Sequence, residues 1–204
     1  MDHELLDVFD ERGWHRGTKR RDAVHRDGDW HRAFHLWVTS PHGVLLQRRA
    51  PTKAAWPGRL DATAAGHLLA GEAVRDGLRE AEEELGVAYA FDDLLPLGVH
   101  RVDEGGHDGL VNRELQHVFA VHDDRPLDAW TAFDRDEVAG LVFVGHDAFA
   151  ALTAGAGDDP AVPGTEWDGH RKRAVDVRAG ALVPAPYLRS IAGVLARLAG
   201  ARAL

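Results

Sequence analysis

The sequence predicts an α/β sandwich, in which helices pack on the faces of a mixed β-sheet. Strand-like alternation of apolar and polar residues recurs before, between and after segments with helical apolar spacing. A chain of 204 residues with 45% hydrophobic content can bury one core. We therefore predict one domain over residues 1–204, with N-terminal strands in 1–30, a core over about 31–152, and a loop and C-terminal helix in 153–204.

The first strands are predicted from alternation interrupted by turn residues. Residues 5–31 indicate a short strand, a glycine-containing turn, a second strand and a polar loop. Two further strands are expected at residues 33–39 and 44–49, because the turn residues Pro41, His42 and Gly43 lie between them. These two strands should form a hairpin.

The second half of the chain shows the same mixture of elements. Residues 94–104 and 114–123 predict strands, and residues 137–155 predict a strand that continues into a helix. Residues 155–169 are rich in Gly, Pro and Asp, which is typical of a mobile loop. A closing helix is expected over residues 187–198.

Between these strands, a helix is predicted to end at Gly86. Apolar residues recur at helical spacing in this segment, at Val74, Leu78, Ala81 and Leu85. Glycine directly after the last apolar position is a common helix terminator. The sequence REAEEEL at residues 79–85 should therefore lie on a helix whose apolar side faces the core.

This helix carries a cluster of glutamates. Glu80, Glu83 and Glu84 stand at i, i+3 and i+4 and can converge on one point, whereas Glu82 is turned away. Their repulsion should raise the pKa of at least one of them unless a cation neutralises the charge. Oxygen ligands of this kind suit Mg²⁺ or Mn²⁺. The alternative is a solvated acidic helix face that binds no metal.

The helix and the segment before it resemble the Nudix hydrolases. The sequence box of that family runs G-x5-E-x7-R-E-U-x-E-E-x-G-U, where U is a bulky aliphatic residue. The matching positions here are Gly66, Glu72, Arg79, Glu80, Glu83, Glu84, Gly86 and Val87. Two positions depart from the pattern: six residues separate Glu72 from Arg79, and Ala81 takes a bulky aliphatic place.

The resemblance implies a Nudix-like α/β/α sandwich with a mixed β-sheet and a metal-dependent hydrolase activity. Such an enzyme cleaves a diphosphate bond in a nucleoside diphosphate linked to another group, or in a similar diphosphate. The implied metal ligands are Glu80, Glu83 and Glu84. Arg79 would brace the box, and Glu72 or Glu137 would act as a further ligand or as the base that orients the water, a choice the sequence leaves open.

The likeness extends to one branch, the type I isopentenyl-diphosphate isomerases and the hydrolases that resemble them. Residues 48–67 share with this branch paired arginines, a lysine, Trp-Pro-Gly and the Gly-His that opens the box. The resemblance favours Arg49 and Lys53 as diphosphate contacts. Strand alternation sends Arg48 and Arg49 to opposite faces, so only one of them can reach the site. A surface salt bridge is the alternative role for either arginine.

This branch also decides what chemistry to expect. The isomerases carry a catalytic cysteine directly before the Gly-His, where this chain has Ala65, so isomerase chemistry should be lost. They bind a metal through histidines and two glutamates, and Asn112 stands in place of one glutamate. The residues near the other positions are His25, His31, His67 and Glu114. Whether they bind a second metal is left open, because 13 histidines are scattered along the chain.

Composition limits the classes of function and partner. The chain has no cysteine, which excludes disulfides and thiolate metal sites, and its net charge of −9 argues against binding a nucleic-acid polymer. The acidic start and the absence of a long apolar run predict a soluble, cytoplasmic protein without membrane contact. The expected partner is a small phosphorylated substrate, with a homodimer left open. A non-catalytic diphosphate-binding sensor and an isomerase-like protein remain the alternatives.

Overall fold

Eleven strands form one sheet in the computed structural model, which describes residues 4–104, 111–154, 159 and 161–201. The strands are β1 (Leu5–Phe9), β2 (His15–Arg20), β3 (Trp30–Ser40), β4 (Gly43–Arg49), β5 (Leu60–Asp61), β6 (Ala64–His67), β7 (Leu95–Glu104), β8 (Asn112–His122), β9 (Val138–Gly145), β10 (Val162–Trp167) and β11 (Lys172–Val177). Strand order is β11-β10-β9-β4-β3-β1-β2, with β8 and then β7 branching from β3, β5 beside β4, and β6 beside β3. β3 and β8 are parallel and the other pairs are antiparallel, so the predicted mixed sheet is confirmed.

Helices cover both faces of the sheet. They are α1 (Arg21–Asp27), α2 (Arg79–Leu85), α3 (His146–Thr153) and α4 (Leu188–Ala201). On one face Trp37 of β3 packs with α3 and α4, and on the other face Phe34 of β3 packs with α2. Successive residues of a strand point to opposite faces, so β3 supplies both halves of the core. Among the described helices, none combines the length and apolarity required to span a bilayer.

Most predicted strands and the two C-terminal helices are confirmed, with shifted ends. β3 is longer than predicted, and α4 begins at Leu188 instead of residue 187. The carboxylate helix is shorter than its apolar stripe suggests, because Val74–Leu78 forms a 3₁₀ turn and the α-helix begins only at Arg79. Gly86 ends this helix in the left-handed conformation, at φ +68°, as predicted.

The polar loop predicted after β2 is wrong. Residues Arg21–Asp27 form α1, and Gly28 ends it at φ +70°. The helix is anchored by Val24, which is fully buried against Leu6 and Val8. A single buried residue in such a short helix gives no periodic apolar stripe, so the helical pattern is absent from the sequence.

The predicted loop over residues 155–169 is wrong in its second half. Residues 155–158 and 160 lie outside the described residues, whereas Val162–Trp167 forms β10, between β9 and β11. A Cβ at Gly164 would come within 3.1 Å of the Phe143 carbonyl, so glycine allows this strand to lie close to β9. The sheet thus continues past residue 152, where the predicted core ends, and includes β10 and β11.

Candidate functional site

Two glutamates of α2 are buried beneath β6. The Glu80 carboxylate lies directly against Gly66, where an added Cβ would come within 2.2 Å of it. One oxygen of Glu84 accepts hydrogen bonds from the Ala65 amide and the Gln47 side chain, both at 3.0 Å. Only 9% of Glu80 and 4% of Glu84 are exposed. The glycine that opens the box is therefore the position that makes room for a carboxylate.

Burial changes the acidity of both carboxyl groups. It raises the pKa of Glu80 to about 7 and that of Glu84 to about 8. The negative charge of Glu80 adds to the shift at Glu84, but burial is the larger cause. The predicted repulsion between the glutamates thus contributes to both raised pKa values, but burial, which the sequence analysis does not consider, contributes more. Two buried acids that resist ionisation without a counter-charge fit a divalent cation.

Arg79 connects the glutamates of the box. Its guanidinium donates to both oxygens of Glu72 at 2.8 and 3.2 Å, to Glu80 at 2.6 Å and to Glu83 at 3.0 Å. Burial raises the pKa of Glu72, but the hydrogen bonds from Arg79 and the Leu69 amide outweigh it, and the pKa is lowered overall. Glu72 is therefore engaged with Arg79 despite the shortened spacing between them.

Glu83 differs from its two neighbours on the helix. Its side chain is 59% exposed, and it reaches the buried carboxylates through Arg79. The three predicted metal ligands thus divide into two buried groups and one that faces solvent. Glu82, predicted to point away, is exposed.

The predicted diphosphate contacts lie next to carboxylates. Arg49 donates to Asp61 at 2.9 Å and to the Ala55 carbonyl at 3.1 Å, and Lys53 forms an ion pair with Glu137. The positive charge of Lys53 also lowers the pKa of Glu84, although burial and the Glu80 charge outweigh it. Lys53, paired with Glu137, therefore lies close enough to α2 for its charge to act on Glu84.

Strand alternation separates the two adjacent arginines as predicted. Arg48 pairs with Glu166, a buried carboxylate of β10 that also pairs with Arg173. Arg49 turns instead to Asp61 of β5. A register irregularity between β4 and β9 falls between the two arginines. Arg48 thus pairs with a carboxylate of β10, whereas Arg49 pairs with Asp61, whose negative charge helps to raise the pKa of Glu84.

A second cluster is formed by three histidines from three elements. His25 of α1, His31 of β3 and His67 of β6 each offer a ring nitrogen within 4.8 Å of the others. The Nδ1 atoms of His25 and His31 lie 2.9 and 3.1 Å from the Arg21 and Asp29 carbonyls. Carbonyl oxygens only accept, so each Nδ1 carries the proton and each Nε2 presents a lone pair to the cluster.

Glu114 of β8 completes this histidine cluster. Its Oε1 lies 3.2 Å from Nε2 of His67 and 3.8 Å from Nε2 of His31. Burial lowers the pKa of His67 to about 3, although its hydrogen bond to Glu114 opposes the shift. Neutral imidazoles with one carboxylate are a donor set for zinc or manganese. The residues that the sequence leaves open as a second metal site are thus brought together.

Further polar groups that the sequence analysis misses lie beside Ala65. His35 of β3 is directly opposite Ala65 across the β3–β6 pair, and its Nδ1 is 2.7 Å from the Tyr187 hydroxyl. The ring of His100 lies 4.9 Å from the Tyr187 ring. Alternation along β3 places His31 and His35 on one face and is the signal available in the sequence. The strand register that places His35 opposite Ala65 cannot be read from the sequence.

Comparison with known proteins gives a consistent family relationship. The NUDIX domain family matches residues 29–164. An uncharacterized Nudix hydrolase from Clostridium acetobutylicum is 37% identical over 155 residues, 74% of each chain. Nudix hydrolase 3 from Arabidopsis thaliana is 34% identical over 184 residues, which are 87% of this chain but only 23% of the plant protein.

Isomerases and solved structures extend the comparison. An isopentenyl-diphosphate Delta-isomerase from Streptomyces avermitilis is 35% identical over 144 residues, 69% of this chain and 70% of the isomerase. The crystal structure of DR0079 from Deinococcus radiodurans aligns with a TM-score of 0.57 at 22% identity, covering 75% of this chain and 90% of that one. This structural likeness concerns the fold, and the predicted α/β sandwich is confirmed.

Proposed function

Because the chain belongs to the Nudix domain family and is a Nudix hydrolase, we propose that it cleaves a diphosphate bond with the help of Mg²⁺ or Mn²⁺. The substrate is a nucleoside diphosphate linked to another group, or a similar small diphosphate. The observation that carries this proposal is the pair of carboxylates, Glu80 and Glu84, buried against Gly66 and Ala65. Acids in this state bind a divalent cation in exchange for protons.

Glu80 and Glu84 would hold the cation from the buried side, and Glu83 from the side that faces solvent. A bound divalent cation lowers the pKa of a coordinated water and offsets charge on the phosphoryl oxygens. Arg79 holds Glu80 and Glu83 through charge-assisted hydrogen bonds, which keeps the two carboxylates in place before the substrate arrives. Arg79 is thus a positioning residue in this proposal.

The choice between the two candidate bases follows from their hydrogen bonds. Both oxygens of Glu72 already accept from Arg79, and its pKa is lowered, so this group is poorly suited to take a proton. Glu137 has Lys53 as its partner, and Lys53 is also a candidate diphosphate contact. A diphosphate that draws Lys53 away would free the Glu137 carboxylate. We therefore assign the base to Glu137 and a bracing role to Glu72.

The test is hydrolysis of a panel of nucleotides, sugar nucleotides, dinucleotides and isoprenoid diphosphates, with Mg²⁺, with Mn²⁺ and without metal. Release of phosphate or nucleoside monophosphate is measured. Glu84→Gln should lower kcat roughly 100-fold or more, because the cation loses a charged ligand. Glu82→Gln is the matched control on the same helix, since Glu82 is exposed. Equal rates in the two variants would contradict the assignment.

A second metal is supported by a separate observation: three imidazoles lie close together, and two of them, His31 and His67, also lie near the Glu114 carboxylate. The proposed ligands are His25, His31, His67 and Glu114. The Asn112 side-chain oxygen is buried and finds no hydrogen-bond donor within the described part of the chain, so it is available as a neutral ligand. Isomerase activity does not follow from this centre, because Ala65 offers no acid or base.

Metal content tests this centre directly. Elemental mass spectrometry of the purified protein should find about one equivalent of a transition metal. His31→Gln should lose it, whereas His42→Gln, at an exposed turn, should keep it. Equal content in both variants would place the metal elsewhere. Mg²⁺-dependent hydrolysis is a separate readout, so failure of one metal site does not decide the other.

A further inference from the structure

A cavity of about 410 Å³ opens on the face of the sheet where α2 packs. Its floor is a row of directly paired residues, Val38 of β3, Leu45 of β4, Phe143 of β9 and Thr165 of β10. Directly paired residues project from the same face of a sheet. His35 lies three positions before Val38 on β3, so its side chain projects from the opposite face. This space, which we call the β4–β9 cavity, contains none of the proposed metal ligands in its lining.

The segment that follows β8 forms a wall of the cavity and is held in place by its own contacts. Arg125 donates to Asp123 through Nε at 3.0 Å, and its guanidinium carbon lies 4.6 Å from the centre of the Trp130 ring. The Tyr89 hydroxyl donates to Asp123 at 2.8 Å. The Trp130 carbonyl accepts from the Trp167 indole at 2.7 Å. A ligand would therefore meet a preformed wall and would not have to order it.

The charged groups around the cavity neutralise one another and are accessible to solvent. Asp123 pairs with Arg125, and Lys172 pairs with Asp128 at 3.0 Å. Asp124 has no ion pair within the described part of the chain, but it is exposed, so a cation beside it would gain little. The four residues of the floor are uncharged. An ionised ligand would thus lose hydration without meeting a buried counter-charge, which favours an uncharged one.

The cavity also offers hydrogen bonds along one edge of its floor. Among the described residues, neither the Thr165 hydroxyl nor the His42 ring has a hydrogen-bond partner, and both residues are in contact with solvent. The Ser40 hydroxyl accepts from the His42 amide at 3.2 Å and can still donate. An apolar ring on the floor can therefore carry polar groups at its edge without leaving them unpaired.

We infer that the β4–β9 cavity binds an uncharged aromatic or heteroaromatic ring, which lies on Leu45 and Phe143 with its polar edge toward Thr165. The residues of one sheet row form a flat floor, and the Phe143 ring adds the contacts that aromatic pairs favour. The volume falls within the range of about 300–1,000 Å³ that small-molecule sites occupy. This binding site is additional to the hydrolytic site and does not depend on the proposed function.

Three probes that share a naphthalene ring test the class of ligand. They are 2-naphthol, which is uncharged at neutral pH, 2-naphthoate, which is an anion, and 2-naphthylmethylamine, which is a cation. Calorimetry should show that 2-naphthol binds the parent about tenfold or more tighter than either charged probe, because the charged probes lose more hydration. Equal binding of all three, tighter binding of a charged probe, or no binding would overturn the inference.

A matched pair of phenylalanine variants tests the place of binding. Phe143 and Phe91 are both half-buried and pack against the same core cluster, but only Phe143 lines the cavity. Phe143→Ala should weaken 2-naphthol binding about tenfold, and Phe91→Ala should leave it unchanged. Thr165→Phe, which fills the cavity from a half-buried position, should also weaken binding and is the second variant if Phe143→Ala does not fold.

The comparison of these variants decides between a binding site and an effect on packing. Parent-like affinity for 2-naphthol in the folded cavity variants would overturn the inference. An equal loss of affinity in Phe91→Ala would also overturn it, because that result reports a loosened core and not a contact with the probe. Hydrolysis with Mg²⁺ is measured separately, so the proposed function and the β4–β9 cavity can fail independently.

Discussion

The two candidate metal sites of this protein are built in different ways. The carboxylate site comes from one short helix, where spacing alone brings Glu80 and Glu84 to the same side. The histidine cluster draws on four separate elements and requires β3 to pair with β6 and with β8 in a particular register. A site of the first kind is visible in the sequence, whereas one of the second kind appears only as scattered histidines.

The sites also differ in charge and in response to pH. Burial raises the pKa of Glu80 and Glu84 to about 7 and 8, so the carboxylate site changes charge near neutrality. Burial lowers the pKa of His67 to about 3, so its imidazole is neutral at the same pH. The first site suits a hard divalent cation, and the second suits zinc or manganese. Burial thus raises the pKa of the carboxyl groups and lowers the pKa of the imidazole. The two sites therefore offer a metal different sets of ligands.

Both sites meet at β6. Gly66 lies against the Glu80 carboxylate, and the next residue, His67, belongs to the histidine cluster. Adjacent residues of a strand point to opposite faces, so the strand separates the two sites. Changes at single positions of β6 should therefore affect one site at a time.

Gly66→Ala should have the largest effect. The added Cβ would come within 2.2 Å of the Glu80 carboxylate, at the flexible end of a side chain, so the carboxylate must move while the fold is kept. Metal-dependent hydrolysis should fall roughly 100-fold, with the metal content of the histidine cluster unchanged. Gly193→Ala in α4 is the control, since its nearest atom would be Arg197 Nη1 at 3.5 Å. Near-parent hydrolysis in Gly66→Ala would show that the Glu80 position is irrelevant to catalysis.

Removal of the metal proposed for the histidine cluster should lower stability more than it lowers the rate of hydrolysis. The histidine cluster ties α1, β3 and β6 to β8, and a metal that binds only the folded state stabilises it. Treatment with a chelator selective for zinc-like ions should lower the melting temperature by roughly 2–4 °C for each kcal/mol of lost binding. His31→Gln should melt at the lower temperature and not respond to the chelator. An equal loss of melting temperature in the parent and in His31→Gln would show that the stabilising metal binds outside this cluster.

How much the sequence reveals depends on how local each feature is. The glutamate helix, its end at Gly86 and the alternation of Arg48 and Arg49 follow from geometry within a few residues. The missing residue between Glu72 and Arg79 is accommodated in the segment that contains the 3₁₀ turn. Here the prediction required only local geometry.

Features that depend on long-range pairing could not be predicted. The bond between His35 and Tyr187 joins residues 152 positions apart, and it requires the chain before α4 to dock on β3. β10 could not be predicted for the same reason. Its Gly and Pro residues are typical of a loop, and the strand forms because β9 and β11 pair with it. Burial of Glu80 and Glu84, and hence the main cause of their raised pKa, also depends on β6 lying above α2.

A combined pH and metal experiment tests how the carboxylate site affects the thermal stability of the protein. Glu80 and Glu84 have folded pKa values above the usual value of 4.5, so folding favours their protonated forms. Their contribution to stability is full below about pH 4.5 and is lost as pH rises through about 7 and 8. The metal-free protein should therefore melt progressively lower from pH 5 to about pH 8, apart from the titration of other groups.

Added Mg²⁺ should reverse this trend. It binds the deprotonated carboxylates of the folded state, so millimolar Mg²⁺ should raise the melting temperature by a few degrees at about pH 8 and have little effect near pH 5. Glu84→Gln should show a reduced Mg²⁺ effect, and Glu82→Gln should match the parent. The measurement is thermal unfolding at the two pH values with and without Mg²⁺. The same Mg²⁺ shift in Glu84→Gln and the parent would place the cation outside α2.

Ala65→Cys should have the smallest effect. Ala65 lies between the two sites, with its amide bonded to Glu84 and its side chain facing His35. The substitution leaves the amide in place, so hydrolysis should stay within about twofold of the parent. It adds the thiol that the resemblance to isomerases requires, but Asn112 still gives a neutral oxygen where those enzymes have a carboxylate.

Conversion of isopentenyl diphosphate, followed by NMR, should therefore be undetectable in both the parent and Ala65→Cys. The double variant Ala65→Cys with Asn112→Glu sharpens the comparison, because it supplies both missing groups at once. Activity only in the double variant would show that the histidine cluster can support isomerase chemistry. It would also show that Ala65 on β6 and Asn112 on β8 are the residues that prevent this chemistry in the parent. Appreciable conversion by the parent would instead contradict the view that Ala65 removes the acid–base step, and would shift the catalytic role from the α2 carboxylates toward the histidine cluster.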